Sequence, residues 1–431
     1  MTTPFVSSTK TVLVMGGSYG GRTAAKVLAK GLPEGYRVVL LERNSHANHL
    51  YVIPRFCVLG SHESKAFIPY NYLYGPDPVV HKVVHGTATR LEPNRVTYTP
   101  ASYSPDPAKG NQTIEFDYMV YALGAKLPGP IDFWGAKDVY EKQVNFENEE
   151  ARGRFNGTKP ASIEFLQRAQ IRLKGVQSVL VVGGGALGIQ FATDLKDMYP
   201  QKQITLLHSR MQLLPKFPEK MHNEITKTMH RLGVSLILGQ RLDLGTTLPD
   251  NTEYDEKGRR VVKTESGKRI CADLVLLCTG QAPNTALMRD LAPQAVDANT
   301  GLVKVLRTMQ VDLPHSTFVA QDEMPNQVTT MPHIYAIGDA ADAFGAIKAG
   351  HTAHSQAEIA SRNILAPISG SPLVAYEPGP PAIKLSLGMR HRATIMGAEQ
   401  TMTVGDDGKD DLDAPSMWPY VGADFERDRD L

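Results

Sequence analysis

Two segments of this chain end an apolar run in glycines and then open a helical pattern: Val14-Met15-Gly16-Gly17-Ser18-Tyr19-Gly20-Gly21 and Val181-Val182-Gly183-Gly184-Gly185-Ala186-Leu187-Gly188. Small residues let such a turn fold back tightly and approach a pyrophosphate, while free N–H groups of the following helix hold the anion. One match is weak, because any glycine-rich strand-to-helix turn imitates it. Two matches, each followed by a second apolar strand, predict an α/β chain with two Rossmann-like dinucleotide-binding domains.

In the first unit, residues 11–15 read as the strand, 22–29 as the helix and 36–41 as the next strand, which ends in Glu42. That acid lies somewhat past the roughly 20-residue interval usual for a ribose-binding carboxylate, and the glycine-bounded loop at 31–35 accounts for the excess. A carboxylate there binds an adenosine ribose and repels a 2′-phosphate, so the unit suits FAD or NAD. Ser18 replaces the middle glycine and still admits a phosphate, with less backbone freedom. In the second unit the strands are 178–182 and 204–207, and the place of the acid is taken by His208-Ser209-Arg210. A neutral or cationic strand end tolerates the 2′-phosphate of NADPH, so His208 and Arg210 indicate NADPH or NADH with a lean to NADPH; the alternative for Arg210 is a solvated surface arginine.

Two further apolar runs, Asp117-Tyr118-Met119-Val120-Tyr121-Ala122-Leu123-Gly124 and Ala272-Asp273-Leu274-Val275-Leu276-Leu277-Cys278-Thr279-Gly280, form a matched pair of buried strands ending in small-residue turns. A fourth piece, His333-Ile334-Tyr335-Ala336-Ile337-Gly338-Asp339, stops at Gly338 and presents Asp339, whose carboxylate suits the ribityl hydroxyls of a flavin or, alternatively, an ordinary helix N-cap.

These four ordered motifs resemble those of the two-dinucleotide-binding flavoproteins of the pyridine nucleotide-disulfide oxidoreductase-like superfamily. The likeness spans roughly residues 10–390 and is nearest to the apoptosis-inducing-factor-like branch with its ferroptosis suppressors, beside type II NADH dehydrogenases. It implies a glutathione reductase-like fold in which Gly16, Gly17, Ser18, Gly20, Gly21, Glu42, Gly338 and Asp339 bind FAD, and Gly183, Gly185, Gly188 and Gly280 bind NADPH or NADH. Tyr19, Arg43, Arg55, Ala122, Gly124 and Leu187 complete the expected cofactor-binding set. It also implies a discontinuous FAD domain at 1–145 and 296–370, an inserted NAD(P)H domain at 146–295 and a C-terminal segment at 371–431. The polar stretch 141–159 reads as the first linker, and 297–302 as the turn that returns to the FAD domain.

One departure is Gln190, where the family usually has a glutamate near the nicotinamide; an amide still hydrogen-bonds a carboxamide but brings no charge. Residues 344–358 read as a helix pointing its start at the flavin, with Lys348, His351 and Gln356 as candidates for stabilising charge; Lys348, His351 and Gln190 form the catalytic set. No metal is expected, His46 and His49 lacking acidic companions. The three cysteines form no closely spaced redox pair: Cys271 and Cys278 read as core residues, and Cys57 as an apolar loop thiol, a redox role at the flavin being the alternative. The tail turns acidic and flexible at 406–413 before Trp418 and Tyr420, which by resemblance close over the flavin or, alternatively, anchor the tail by burial.

A net charge of +1 without long cationic runs argues against nucleic acid, and no apolar stretch is long enough to span a bilayer, leaving at most peripheral membrane contact. The first five residues show neither a signal core nor a myristoylation glycine, so a cytoplasmic monomer or homodimer is expected. The implied activity is hydride transfer from NAD(P)H to FAD and onward transfer to a quinone-like acceptor. A biosynthetic tailoring flavoenzyme and a non-enzymatic signalling flavoprotein stand as alternatives.

Overall fold

The computed structural model describes residues 9–75, 80–104, 110–135, 155–313, 329–406 and 408–431. The expectations for residues 1–5, for most of the 141–159 linker and for residue 407 fall outside them.

Apolar runs without alternation make strands covered on both faces, which is the condition for a parallel sheet. β1 (Lys10–Met15) and β2 (Tyr36–Glu42) pair in parallel, Lys10 opposite Tyr36 and Met15 opposite Leu41, with α1 (Tyr19–Gly31) as the crossover. α1 begins at Tyr19 rather than Arg22, so Tyr19, Gly20 and Gly21 belong to its first turn. The short helix α2 (Ile53–Phe56) follows, and then β3 (Lys82–Glu92), β4 (Arg95–Pro100) and β5 (Gln112–Glu115) extend the sheet outward beyond β2. β6 (Tyr118–Tyr121) returns to the other side of β1.

Thr158 caps α3 (Lys159–Gly175), which leads into the second unit. There β7 (Ser178–Val182), α4 (Ala186–Met198), β8 (Gln203–Leu207), α5 (Glu219–Leu232), β9 (Ser235–Ile237) and β10 (Leu274–Leu277) form a four-stranded parallel sheet ordered β9-β8-β7-β10. The expected turn at 297–302 is built by Asp297, whose carboxylate accepts the Asn299 and Thr300 N–H groups. β11 (Ile334–Ala336) then joins the first sheet beside β6, completing the order β11-β6-β1-β2-β3-β4-β5.

α6 (Gly350–Ser369) packs lengthwise on α1. It starts at Gly350, not at 344, because Phe344 and Gly345 adopt left-handed backbone (φ 56° and 77°) that a helix cannot contain. A three-stranded antiparallel sheet, β12 (Ile383–Ser386), β13 (His391–Met396) and β14 (Thr401–Asp406), precedes the tail. From residue 408 on, the acidic stretch is held in place: Asp411 pairs with Lys65 at 2.6 Å, Asp410 with Arg390 at 3.1 Å, and Leu412 and Ala414 are buried.

Candidate functional site

In each sheet the chain leaves the central strand for a neighbour on one side and later returns on the other. A crevice therefore opens at the carboxyl end of β1, between β2 and β6, and another at the end of β7, between β8 and β10. Both glycine turns stand at these two switch points.

The turns are built alike. A Cβ at Gly16 would lie 2.5 Å from the Ala122 carbonyl oxygen, and one at Gly183 would lie 2.5 Å from that of Cys278. A Cβ at Gly21 would overlap the Gly16 carbonyl oxygen, and one at Gly188 that of Gly183. These contacts press the helix against the strand, aiming its N-terminus along the crevice. Neither α1, entered from Ser18, nor α4, entered from Gly185, has a side-chain cap or an acid in its first turn. The first-turn N–H groups of Tyr19, Gly20 and Gly21, and of Ala186, Leu187 and Gly188, are thus left to an anion. The donor set fits two dinucleotide diphosphates.

The strand after each turn completes the parallel. Glu42 Oε2 accepts the Gly17 N–H at 2.6 Å, and its Oε1 accepts the Asn44 N–H at 2.9 Å and the Asn44 amide at 2.7 Å. His208 Nδ1 accepts the Gly184 N–H at 3.0 Å, in the role Glu42 plays for Gly17. Accepting at Nδ1 places the ring proton on Nε2, and burial holds the imidazole below its ordinary pKa, with Arg210 adding to the effect. Arg210 itself is exposed. Arg43 stacks its guanidinium on Trp134 at 4.7 Å.

The two matched strand ends meet. Asn284 donates from its backbone to the Gly124 carbonyl at 2.9 Å and from its amide to that of Leu123 at 2.9 Å, while Tyr121 Oη donates to Asn284 O at 2.7 Å. Gly124 and Gly280 are both left-handed (φ 61° and 54°), turning the chain where it passes between the units.

Asp339 sits in the turn after β11, its carboxyl raised by burial against the opposing pull of Lys348. Lys348 precedes α6 and donates to the Ala341 carbonyl; His351 lies exposed on the first turn of α6, whose N-cap residue Ala349 offers no capping side chain. Gln356 is engaged elsewhere: its Oε1 accepts the Gly338 N–H at 2.7 Å, and the side chain is buried behind the turn. Gln190 is buried behind the second turn, with no partner for its Nε2 among the described residues.

Arg55 does not face a crevice. It is fully buried and all five donors are taken: two by Asp194 at 2.8 and 3.0 Å, the rest by the carbonyls of Gly388, Met389 and Asp410 at 2.6–2.9 Å. A guanidinium so engaged ties α2, α4 and the C-terminal segment together and has nothing left for a phosphate. Trp418 is likewise an anchor: fully buried, it donates Nε1–H to Lys65 O at 3.0 Å and meets Phe425 edge-on, whereas Tyr420 is 61% exposed. Cys57 closes α2 in the apolar core it shares with Cys278, and burial pushes the Cys278 thiol above its usual range.

Sequence reasoning missed Tyr70, whose hydroxyl donates to Gly17 O at 2.8 Å, and Asn44, which holds Glu42. Neither carries a signal at fixed spacing from the turn.

The profile of the pyridine nucleotide-disulphide oxidoreductase family matches residues 10–357. Fe-regulated protein 8 of Mycosarcoma maydis is 40% identical over 423 residues, covering 96% of this chain and 95% of its own. Ferroptosis suppressor protein 1 of Homo sapiens is 27% identical over 381 residues, covering 88% and 86%. Among solved structures, the water-forming NADH oxidase from Lactobacillus brevis bound to NADH aligns with a TM-score of 0.59 at 18% identity, over 90% of this chain and 76% of that one, a likeness of fold.

Proposed function

Because this chain belongs to the pyridine nucleotide-disulphide oxidoreductase family, we propose that its two turns divide the work of an NAD(P)H-dependent flavin oxidoreductase whose electrons pass to a quinone-like small molecule. FAD binds at the first turn and NADPH or NADH at the second. The observation that carries this reading is the duplicated turn: two uncapped helix N-termini at two switch points, one backed by Glu42 and the other by His208.

Bound there, FAD supplies the ring that accepts hydride and passes electrons on. The chain supplies placement. The first-turn N–H groups of α1 and α4 hold the diphosphates, with Ser18, Tyr19 and Leu187 lining their approach. Glu42 takes the flavin-side ribose, and His208 with Arg210 leaves room for a 2′-phosphate. Asp339 offers its carboxylate to ribityl hydroxyls, the start of α6 with Lys348 brings positive potential to the ring's polar edge, His351 stands beside it as an imidazole held below its ordinary pKa by partial burial, and Gln190 offers an uncharged donor to the carboxamide. Arg43, Ala122, Gly124 and Gly280 border the two crevices.

The acceptor rests on the resemblance and on the thiols: buried Cys57 and Cys278 are poorly placed for thiolate chemistry, which favours direct transfer to a small molecule. A division into 1–145 with 296–370, 146–295 and 371–431 is part of this proposal, supported by β6 and β11 lying in the first sheet and β7 and β10 in the second. Among the described residues no helix is long and apolar enough to cross a membrane. Anaerobic titration with NADPH and NADH, followed by reoxidation with a quinone series, tests the reading. Flavin bleaching and rapid quinone-dependent recovery are expected; bleaching by neither coenzyme removes the reductase assignment, and recovery indifferent to quinones removes the acceptor.

A further inference from the structure

Arg22 lies in the first turn of α1, three residues after the start of the helix, and is 4% exposed. Its guanidinium carbon stands 4.8 Å from the centre of the Tyr19 ring, and its Nη2 donates to the thioether sulfur of Met417 at 3.0 Å, a weak acceptor. Its Nη1 is buried with no hydrogen-bond partner, and no carboxylate pairs with it, among the described residues. A buried cation without a counter-charge is among the most expensive arrangements a fold can hold. The same chain satisfies all five donors of another buried arginine, Arg55, so the unpaired state of Arg22 is particular to this place.

The surroundings say what kind of group is missing from the balance. Tyr19 and Tyr70 stand near the guanidinium as neutral phenols, each raised by burial, and His49 is a neutral imidazole whose Nδ1 lies 2.8 Å from Tyr19 Oη. Glu42 makes no ion pair with Arg22; its oxygens accept from Gly17 and Asn44. Tyr70 is hydrogen-bonded to the glycine turn itself, so the positive charge stands beside the mouth of the first crevice, at the helix end whose N–H groups are free.

We infer that Arg22 is a diphosphate-binding residue: its fork of donors meets the anion of the dinucleotide held at the first turn, adding a side-chain cation to the helix N-terminus. The inference rests on the flavoprotein reading above. A planar guanidinium matches paired phosphate oxygens, and charge-assisted contacts of this kind are the strong ones. Met417, next to the anchored Trp418, braces the other edge of the guanidinium, so the C-terminal tail sets the direction in which Arg22 points.

The test uses the full-length chain stripped of flavin, as wild type, Arg22→Met and Arg22→Lys. FAD binding is followed by flavin fluorescence, ADP and adenosine are used as competitors, and thermal melts are recorded without ligand. Arg22→Met should bind FAD roughly 10- to 100-fold more weakly and lose most competition by ADP, while adenosine competes equally with both proteins. Arg22→Lys should recover part of the loss, and NADPH binding at the second turn should not change. Without ligand, Arg22→Met should melt at or above wild type, because an uncompensated buried charge has gone. Equal FAD affinities, or a ligand-free melting point lowered in step with affinity, overturn the inference. Wild type that binds no FAD removes the flavoprotein reading as well, whereas equal binding by wild type and Arg22→Met removes Arg22 alone.

Discussion

Replacing Arg55 with methionine would leave Asp194 at 0% exposure without its counter-charge and strip the Gly388, Met389 and Asp410 carbonyls of their donors. Breaking one side of a buried pair costs about 3–5 kcal/mol, and each deprived carbonyl adds up to roughly 1 kcal/mol. That is a large part of the 5–15 kcal/mol typical of a folded protein. The penalty also carries a pH signature. Burial already pushes the Asp194 carboxyl upward, and losing Arg55 removes the charge that opposes this. With its native pKa raised above the unfolded value, Asp194 binds a proton more readily in the folded variant, so the loss of stability should shrink as pH falls from 8 to 5. Urea midpoints for Arg55→Met across that range measure both effects, and Arg55→Met/Asp194→Leu should regain most of the Asp194 share. Limited proteolysis should release the C-terminal segment from the single variant sooner than from wild type. A variant within about 1 kcal/mol of wild type, or a penalty that grows in acid, refutes the reasoning. A variant that stays folded yet sheds FAD would return Arg55 to the cofactor site.

Gly16→Ala should abolish flavin retention while Gly183→Ala keeps the flavin and raises the KM for NAD(P)H at least tenfold, read from the absorbance spectrum and steady-state rates; the opposite assignment would exchange the two crevices. His208→Glu should move the ratio of kcat/KM toward NADH by an order of magnitude or more, since a carboxylate repels the 2′-phosphate, and an unchanged ratio would dissociate this position from coenzyme choice. His46 and His49, both held near pKa 3 chiefly by burial, are neutral in the native state but titrate near 6.5 when unfolded. Stability should therefore be full above pH 6.5 and fall below it, by about 2 kcal/mol per histidine at pH 5, in melts that His46→Gln flattens; a level profile would contradict this.

What the sequence disclosed was the local geometry. Gly16, Gly21, Gly183 and Gly188 are set by contacts within a turn and its strand, and short spacing conveys such contacts. The substitution of His208 for an acid was visible for the same reason. Arg55 was misread because its partners lie 139 to 355 residues away, and nothing near it in the chain distinguishes a structural tie from a phosphate ligand. Arg22 was passed over as an ordinary helix residue, since only burial shows that its charge is unpaired. The start of α6 was placed too early because the left-handed backbone at Phe344 is one that a bulky residue rarely adopts.

β11 reaches the first sheet only from residues 334–336, after the second unit has already passed. During translation the second unit can therefore complete its own sheet on the ribosome while β6 still shows an unpaired flank. Nascent chains halted after β10 has emerged but before β11 has would carry a finished inner sheet and an outer one open to strand exchange, and those are the products that chaperones and proteases would meet first.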